Sequence, residues 1–546
     1  MRALLLAACL AGAAAAAQTA SDAAQVARGE AIYVGDAAAY ARPGAARVGG
    51  APIPPQSAAC VACHRRSGLG SAESNLIVPP IAGHLLFNPL SPQTGKRLPW
   101  PSRDRTRPAY DEASLARALA DGVAPDGVPL AAPMPRYAFT AEEVAALAAY
   151  LRTLSVATAP GVTDEEVVFA TVTTPEVPAA QVDDLLRTLR ALFADRNAGT
   201  RHETRRRAQA LRTDSTMYRR FRRWRLEHWA LTGEPHTWLA QLEARYAATP
   251  VFALLSGLSY DDWTPVHAFC ERARVPCVLP NVALPPQRED FYSIYLSPGL
   301  AAEAQATAAA LAGTREVVLW SEPGASGERR RAVIEAAFAR QGIAVAERAP
   351  RADDVIVAAL PAERIESRWR ALAEPPRRVY ALGAMLAELP DAWQPQDAAL
   401  RERSVLVTPL AADAAARRQM ARSRAWLAAR GLRPSSERIA ANALLAAIVA
   451  TEMMMHVDDR FSREYCIEQI EHNLENVPPL TAYPRLSIGP AQRFAARRVH
   501  LHTAADARAA LAADVRPRPR LADPALAGSR QAEHPAHAMP KRAIAD

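Results

Sequence analysis

Apolar residues at Val144, Leu147, Ala148, Leu151 and Leu154 recur every three or four positions, the period of one buried helix face. Thr140, with Glu143 three residues on, predicts a capping box where that helix begins. Leu115 and Leu119 mark a shorter helix over 111–120, stopped by Asp121-Gly122. Residues 21–33 read as a further helix. A Gly/Pro/Ala-rich loop, 35–57, and a Pro-rich irregular stretch reaching Pro101 fill the space between. After residue 163 the rhythm changes. Short β-rich runs at 167–172, 251–256, 277–279, 292–296, 317–320, 354–359, 379–382 and 405–408 alternate with helical stretches such as 300–311, 327–341 and 411–429. That alternation predicts parallel sheets covered by helices.

The pattern divides the chain into an export signal (1–17), an all-α unit (20–155), a linker (156–164), an α/β unit (165–505) and a tail (516–546). The N-terminus carries a positive start, Met1-Arg2, then apolar 3–10 and the small residues Ala15, Ala16 and Ala17, so cleavage is expected after Ala17. Cys9 sits in a run resembling a lipoprotein box, but it comes early and the apolar stretch continues past it. No later run has the roughly 20 consecutive apolar residues of a membrane span. The mature protein is therefore expected in the periplasm, an oxidising compartment. The tail is rich in Pro, Ala and charge, a composition that does not support a packed core.

Composition changes this picture little. Half of the 546 residues are apolar, enough for sizeable cores. The net charge of +8 and pI ≈ 9.3 come almost wholly from arginine, since lysine occurs only at 96 and 541. Arg205, Arg206, Arg207, Arg219, Arg220, Arg222, Arg223 and Arg225, interleaved with Tyr218, Phe221 and Trp224, have the composition of a nucleic-acid surface. Export argues against that partner, and a solvated or docking face is expected instead. Met453, Met454, Met455 and His456 invite a copper reading, but on a helix the methionines point in different directions, so core packing is expected.

The chemistry lies in Cys60-Val61-Ala62-Cys63-His64, a C-x-x-C-H motif. Two thiols can add across the two vinyl groups of one porphyrin, and the adjacent imidazole then reaches the iron from one face. One covalent haem c is expected, on Cys60, Cys63 and His64. Met134, between Pro133 and Pro135, is the favoured sixth ligand; His84 is the rival. A His/Met pair raises the potential and leaves no open coordination position, which suits electron transfer. Arg97, Trp100 and Arg103 are candidate propionate contacts or a solvated basic loop. Cys270 and Cys277 are either a disulfide or buried thiols, and Cys466 completes an odd number. No G-x-S-x-G, H-E-x-x-H or G-x-G-x-x-G in its required context occurs, so no catalytic residues are expected.

Residues 22–155 resemble the class I cytochrome c family. The resemblance rests on Val26, Gly29, Glu30 and Tyr33 in the first helix, C-x-x-C-H, Leu115 to Gly122, Asp126-Gly127, Met134-Pro135-x-Tyr137 and Leu147-x-x-Tyr150-Leu151. It implies that the first and last helices cross closely at Gly29, with Tyr33 and Tyr150 packed around the crossing. The long loop 35–57 departs from the shortest members of that family.

Residues 165–505 resemble type I periplasmic substrate-binding proteins, the branched-chain amino acid and amide receptors, in the order of elements rather than in any invariant motif. The matching stretches include 166–173, 250–259, 275–281, 291–307, 315–326 and 406–431, and 483–490 looks like the tail of the subset associated with cytochromes. The resemblance implies two α/β lobes with a ligand cleft at the carboxyl ends of the strands. Ser256, Ser259, Asn281, Ser297, Ser321 and Glu322 would then be candidate ligand contacts, or ordinary loop caps.

The expected architecture is thus multidomain: an all-α cytochrome c domain followed by a two-lobed α/β domain of the periplasmic-binding-protein type. The expected function is one-electron transfer from a periplasmic dehydrogenase to a cytochrome or oxidase, with the second unit docking that partner or sensing a small molecule. A quinoprotein alcohol dehydrogenase is a donor that family association suggests. The alternative is a solute receptor whose haem unit is a redox sensor or accessory.

Overall fold

The computed structural model describes residues 20–42, 46–73, 76–91, 106–154, 158–199, 221–346, 348–455, 457 and 461–503. The expected export signal and tail lie outside these residues. So do Arg97, Trp100, Arg103, Arg205, Arg206, Arg207, Tyr218, Arg219, Arg220 and His456.

The first unit is built around the crossing of helix 20–34 with helix Ala141–Thr153. A Cβ on Gly29 would stand 2.0 Å from the Ala146 carbonyl oxygen, so a glycine is what allows the two backbones to touch. Tyr33 and Tyr150 pack beside the crossing with ring centroids 5.3 Å apart. Thr140 and Glu143 form the expected reciprocal capping box. Glu143 is buried, and its second oxygen accepts the Ala41 amide at 2.6 Å, which ties the long loop to this helix. Helix Glu112–Asp121 ends at Gly122, in the left-handed region.

The described residues of the loop 35–57 include regular structure that its composition does not suggest. Ala46–Val48 and Ala51–Ile53 pair as an antiparallel hairpin, extended by Arg136–Tyr137. Gly49 and Gly50, at φ +57° and +86°, make the tight two-residue turn that only such residues permit cheaply. The hairpin is thereby laid against the loop that carries Met134.

Among the described residues, the second unit holds two separate sheets. One has seven strands centred on Glu166–Thr173; the other has six, centred on Val355–Ala359 and Arg378–Leu382. All pairs within these sheets are parallel except the last, where His500–Thr503 runs against Ser404–Thr408. Every strand expected from the sequence is present. Those not expected, Arg223–Ala230, Leu258–Asp262, Asn281–Leu284, Ala344–Ala346 and His500–Thr503, are short, polar or at an edge. The chain passes between the sheets after Leu296, after Thr408 and between Phe494 and His500, giving two lobes with several crossings.

The described end of the arginine–aromatic run leads into strand Arg223–Ala230, paired along its whole length with Glu166–Thr173. Trp224 and Trp229 turn into the core, while Arg225 pairs with Glu166 at 3.0 Å and Arg223 lies 3.5 Å from the same carboxylate. The strand lies at the sheet edge and buries one tryptophan on each face, Trp224 against Phe169 and Trp229 against Phe269. Helix Glu437–Met455 is long and apolar enough to span a membrane, yet 72% of its apolar window is buried in the protein, against helix Ala179–Gly199. Met453 and Met454 are buried on it and Met455 is exposed, so two of these methionines are core residues. Cys270 and Cys277 are fully buried free thiols.

Candidate functional site

Cys60–His64 forms little more than one helical turn, entered through the 3-10 turn Pro55–Ala58. Arg65 follows with φ 64°, an unusual left-handed conformation for a residue with a side chain, and swings the chain away. The Tyr33 hydroxyl donates to the Arg65 carbonyl at 2.5 Å and the Tyr137 hydroxyl to the Ala58 carbonyl at 2.5 Å. The motif is thus held from both ends by buried tyrosines.

His64 is buried, and its Nδ1 lies 2.9 Å from the Pro79 carbonyl, the geometry of a donated hydrogen bond. That bond fixes the tautomer and leaves Nε2 with the lone pair. Burial lowers the imidazole pKa to about 4 against the opposing effect of the Pro79 bond, so the ring is neutral at ordinary pH. The Cys60 thiol is raised to about 11 by burial.

A cavity of ≈ 430 Å³ opens beside the motif, lined by Cys60, Cys63, His64 and Met134. Leu86, Leu115, Leu119, Leu147 and Leu151 supply apolar walls, and Arg107 and Tyr110 one polar edge. Arg107 was not singled out from the sequence; it stands there by donating to the Leu85 and Pro108 carbonyls at 2.7 and 2.8 Å. His84 does not line the cavity. It sits on the turn Gly83–Leu86, which packs on helix Ala141–Thr153 so tightly that a Cβ on Gly83 would lie 2.6 Å from Arg152. The cavity therefore gathers two thiols, one neutral imidazole and one thioether in an apolar chamber. This donor set fits a covalently attached haem.

A family model for cytochrome c matches residues 56–155. The first unit is a cytochrome c domain. Helix 20–34 lies before the matched range but packs as an integral part of it.

The rest of the chain is similar in fold to solved substrate-binding proteins. They include an ABC transporter substrate-binding protein from Desulfitobacterium hafniense (14% identity, 62% of this chain and 97% of that one, TM-score 0.41). A leucine-binding protein from Thermotoga maritima matches at 13% identity over 61% of this chain and 94% of that one, TM-score 0.42. A periplasmic substrate-binding protein from Ralstonia solanacearum matches at 14% identity over 61% and 96%, TM-score 0.43. No curated protein matches the chain.

Between the lobes of the α/β domain, Ser259, Asn281 and Ser297 line one small cavity with Tyr260, Glu303, Arg438, Asn442 and Tyr483. Its volume is ≈ 30 Å³, room for roughly one or two waters. The predicted polar groups are already engaged. Asn281 donates to Ser256 Oγ at 3.0 Å and accepts from Asn442 at 2.7 Å, and Ser259 donates to Glu176 at 3.1 Å. Ser321 and Glu322 do not reach this cavity. Glu322 pairs with Arg364 at 3.1 Å and the Ser321 carbonyl accepts from Arg368 at 2.9 Å, because helix Ala362–Arg370 brings its arginines to that strand end.

Glu303 was not anticipated. It is 1% exposed, accepts the Ala384 amide at 2.8 Å, and burial raises its pKa to about 8. The signal lay in the sequence: a lone carboxylate on the same helical face as Leu300 and Thr307. The folded chain holds this proton more tightly than the unfolded chain. Its stabilising contribution is complete below about pH 4 and is lost as pH rises through about 8. Glu468, raised to about 8 chiefly by burial, acts in the same sense. The melting temperature is expected to fall by at least about 2 °C between pH 5 and pH 9. The Glu303→Gln chain should lose less over that window; an equal loss would mean that Glu303 does not titrate there.

Proposed function

We propose that this chain is a periplasmic one-electron carrier in which Cys60 and Cys63 hold one haem covalently and His64 and Met134 are its axial ligands. The observation that carries this reading is the single apolar cavity shared by the two thiols, His64 and Met134, with His84 outside it. When bound, the haem supplies exchange of one electron between Fe(III) and Fe(II). The protein's residues do the rest. Pro79 orients His64 and keeps its Nε2 available. Pro133 and Pro135 stiffen the loop that presents Met134, whose amide is further tied to the Ala131 carbonyl at 3.1 Å. Leucines exclude water, which favours the reduced, less charged state. Arg107 offers a cation at the polar edge, where carboxylates of the cofactor would meet it. Two filled axial positions leave no site for substrate, so the role is carrier rather than oxygen-activating enzyme.

In this proposal the α/β domain docks the redox partner, a dehydrogenase donor or a cytochrome or oxidase acceptor. The cleft supports that assignment over solute reception: its volume is ≈ 30 Å³ and its hydroxyls are spent on internal bonds. A thermal-shift screen of the full chain against leucine, small amides and short alcohols at millimolar concentration tests it. No ligand is expected to raise the melting temperature by more than about 1 °C. A concentration-dependent rise, the mark of a ligand that binds only the folded state, would make the domain a receptor.

A further inference from the structure

We infer that Glu468, a residue of the α/β domain, is a positioning residue for the loop that orients His64, so that the second domain forms part of the haem's surroundings. The inference rests on the haem reading above.

Ser67 follows His64 by three residues and is 1% exposed. Its amide donates to Glu468 Oε1 at 2.8 Å, and its hydroxyl donates to Glu468 Oε2 at 2.5 Å. One carboxylate from the second domain thus takes both donors of one residue in the first. Ser67 Oγ also accepts the Leu69 amide at 3.1 Å. Beyond it, the Gly70 amide donates to the His64 carbonyl at 3.2 Å, and the Ile81 and Ala82 amides donate to the Gly68 carbonyl at 2.7 and 2.9 Å. These bonds tie residues 65–70 to residues 79–82. The latter stretch presents Pro79, whose carbonyl takes His64 Nδ1. Glu468 therefore clamps one end of a segment whose other end sets the imidazole.

The contact is a built interface. Glu468 stands on helix Arg463–Asn473, and one turn on Glu471 faces Arg65 at 3.6 Å and Arg493 at 2.7 Å. The side chains of Glu471 and Arg493 are 5% and 0% exposed. The guanidinium groups of Arg66 and Arg493 both pack on the Phe291 ring, at 4.7 and 4.8 Å. Arg274 and Glu30 add a second tie at 2.9 Å. Charges this deeply buried interact strongly and are costly to leave unpaired. Partners of a ligand's own hydrogen-bonding groups tune the metal through it.

The test is redox titration of the full-length chain, followed by haem absorption, for the unaltered protein, Glu468→Ala, Glu468→Gln and Ser67→Ala. Hydrogen exchange at the Ser67 and Leu69 amides is measured alongside. Loosening the His64–Pro79 bond weakens electron donation by the imidazole, which favours the reduced form. At a fixed potential the ratio of reduced to oxidised Glu468→Ala protein is expected to rise at least about threefold, which is about 28 mV at 59 mV per tenfold. Glu468→Gln, which keeps one acceptor oxygen, should move less, and both amides should exchange faster. If Glu468→Ala does not fold, Ser67→Ala carries the comparison, with a shift in the same direction. Unchanged ratios in haem-loaded variants would overturn the inference and leave the haem reading intact. Absence of haem from the unaltered chain would overturn both.

Discussion

Replacing both Cys60 and Cys63 by serine is expected to abolish covalent haem attachment. The unaltered chain should stain for haem on a denaturing gel and the double variant should not. The reason is chemical and local. Only the thiols form bonds to the ring, and the cavity leaves a second attachment point unprovided: among the described cysteines, Cys270, Cys277 and Cys466 are buried in the other domain. The cost extends to folding. Leu86, Leu115, Leu119, Leu147 and Leu151 pack into one cluster around a cavity of ≈ 430 Å³, which in the double variant has no covalent occupant. An unfilled apolar space of that size costs up to about 10 kcal/mol at about 24 cal/mol per Å³ when the walls cannot collapse. The cytochrome domain of the variant should therefore melt first and separately. Haem retained on the denatured double variant would show that another residue carries it.

The second large effect is expected from Met134→Ala. The weak sulfur-to-iron absorption band near the red edge of the oxidised spectrum should vanish and the potential should fall. The opened position should then bind small ligands such as cyanide or azide far faster than in the unaltered chain. These changes are expected if, as proposed, that thioether fills the sixth position and raises the potential. His84→Ala should leave all three properties unchanged, because the turn Gly83–Leu86 holds that ring outside the cavity. A surviving sulfur band in Met134→Ala would mean that the thioether comes from elsewhere; absence of the band from the unaltered chain, with the sixth position opened in His84→Ala, would assign the ligand to His84.

The sequence made the haem unit legible because its chemistry is local. C-x-x-C-H sits in five consecutive residues, and the capping box and the helix stop at Gly122 each depend on near neighbours; the Gly29 crossing, made with Ala146 far along the chain, was legible only through the family resemblance. The hairpin in the long loop was legible in principle, through Gly49-Gly50, but its strands are too short to show an alternating pattern. In the α/β domain the buried parallel strands stood out as apolar runs. Arg223–Ala230 did not, since its charged positions answer to Glu166 on a strand far away in sequence. The cleft was the least legible part. Ser321 and Glu322 were placed there by the rule that ligands sit at strand ends, but arginines of a neighbouring helix claim them. Glu303, Arg438 and Asn442 come from helices, whose tertiary placement no local pattern reveals. The clamp from Glu468 to Ser67 spans 401 positions and has no signature in the sequence.

The most direct test of the account is an optical redox titration of the unaltered full-length chain, purified after export. The account predicts a single one-electron transition, a six-coordinate low-spin spectrum in both states, and the sulfur-to-iron band in the oxidised protein alone. A chain that shows no haem absorption, or whose oxidised form is high-spin without that band, would contradict it.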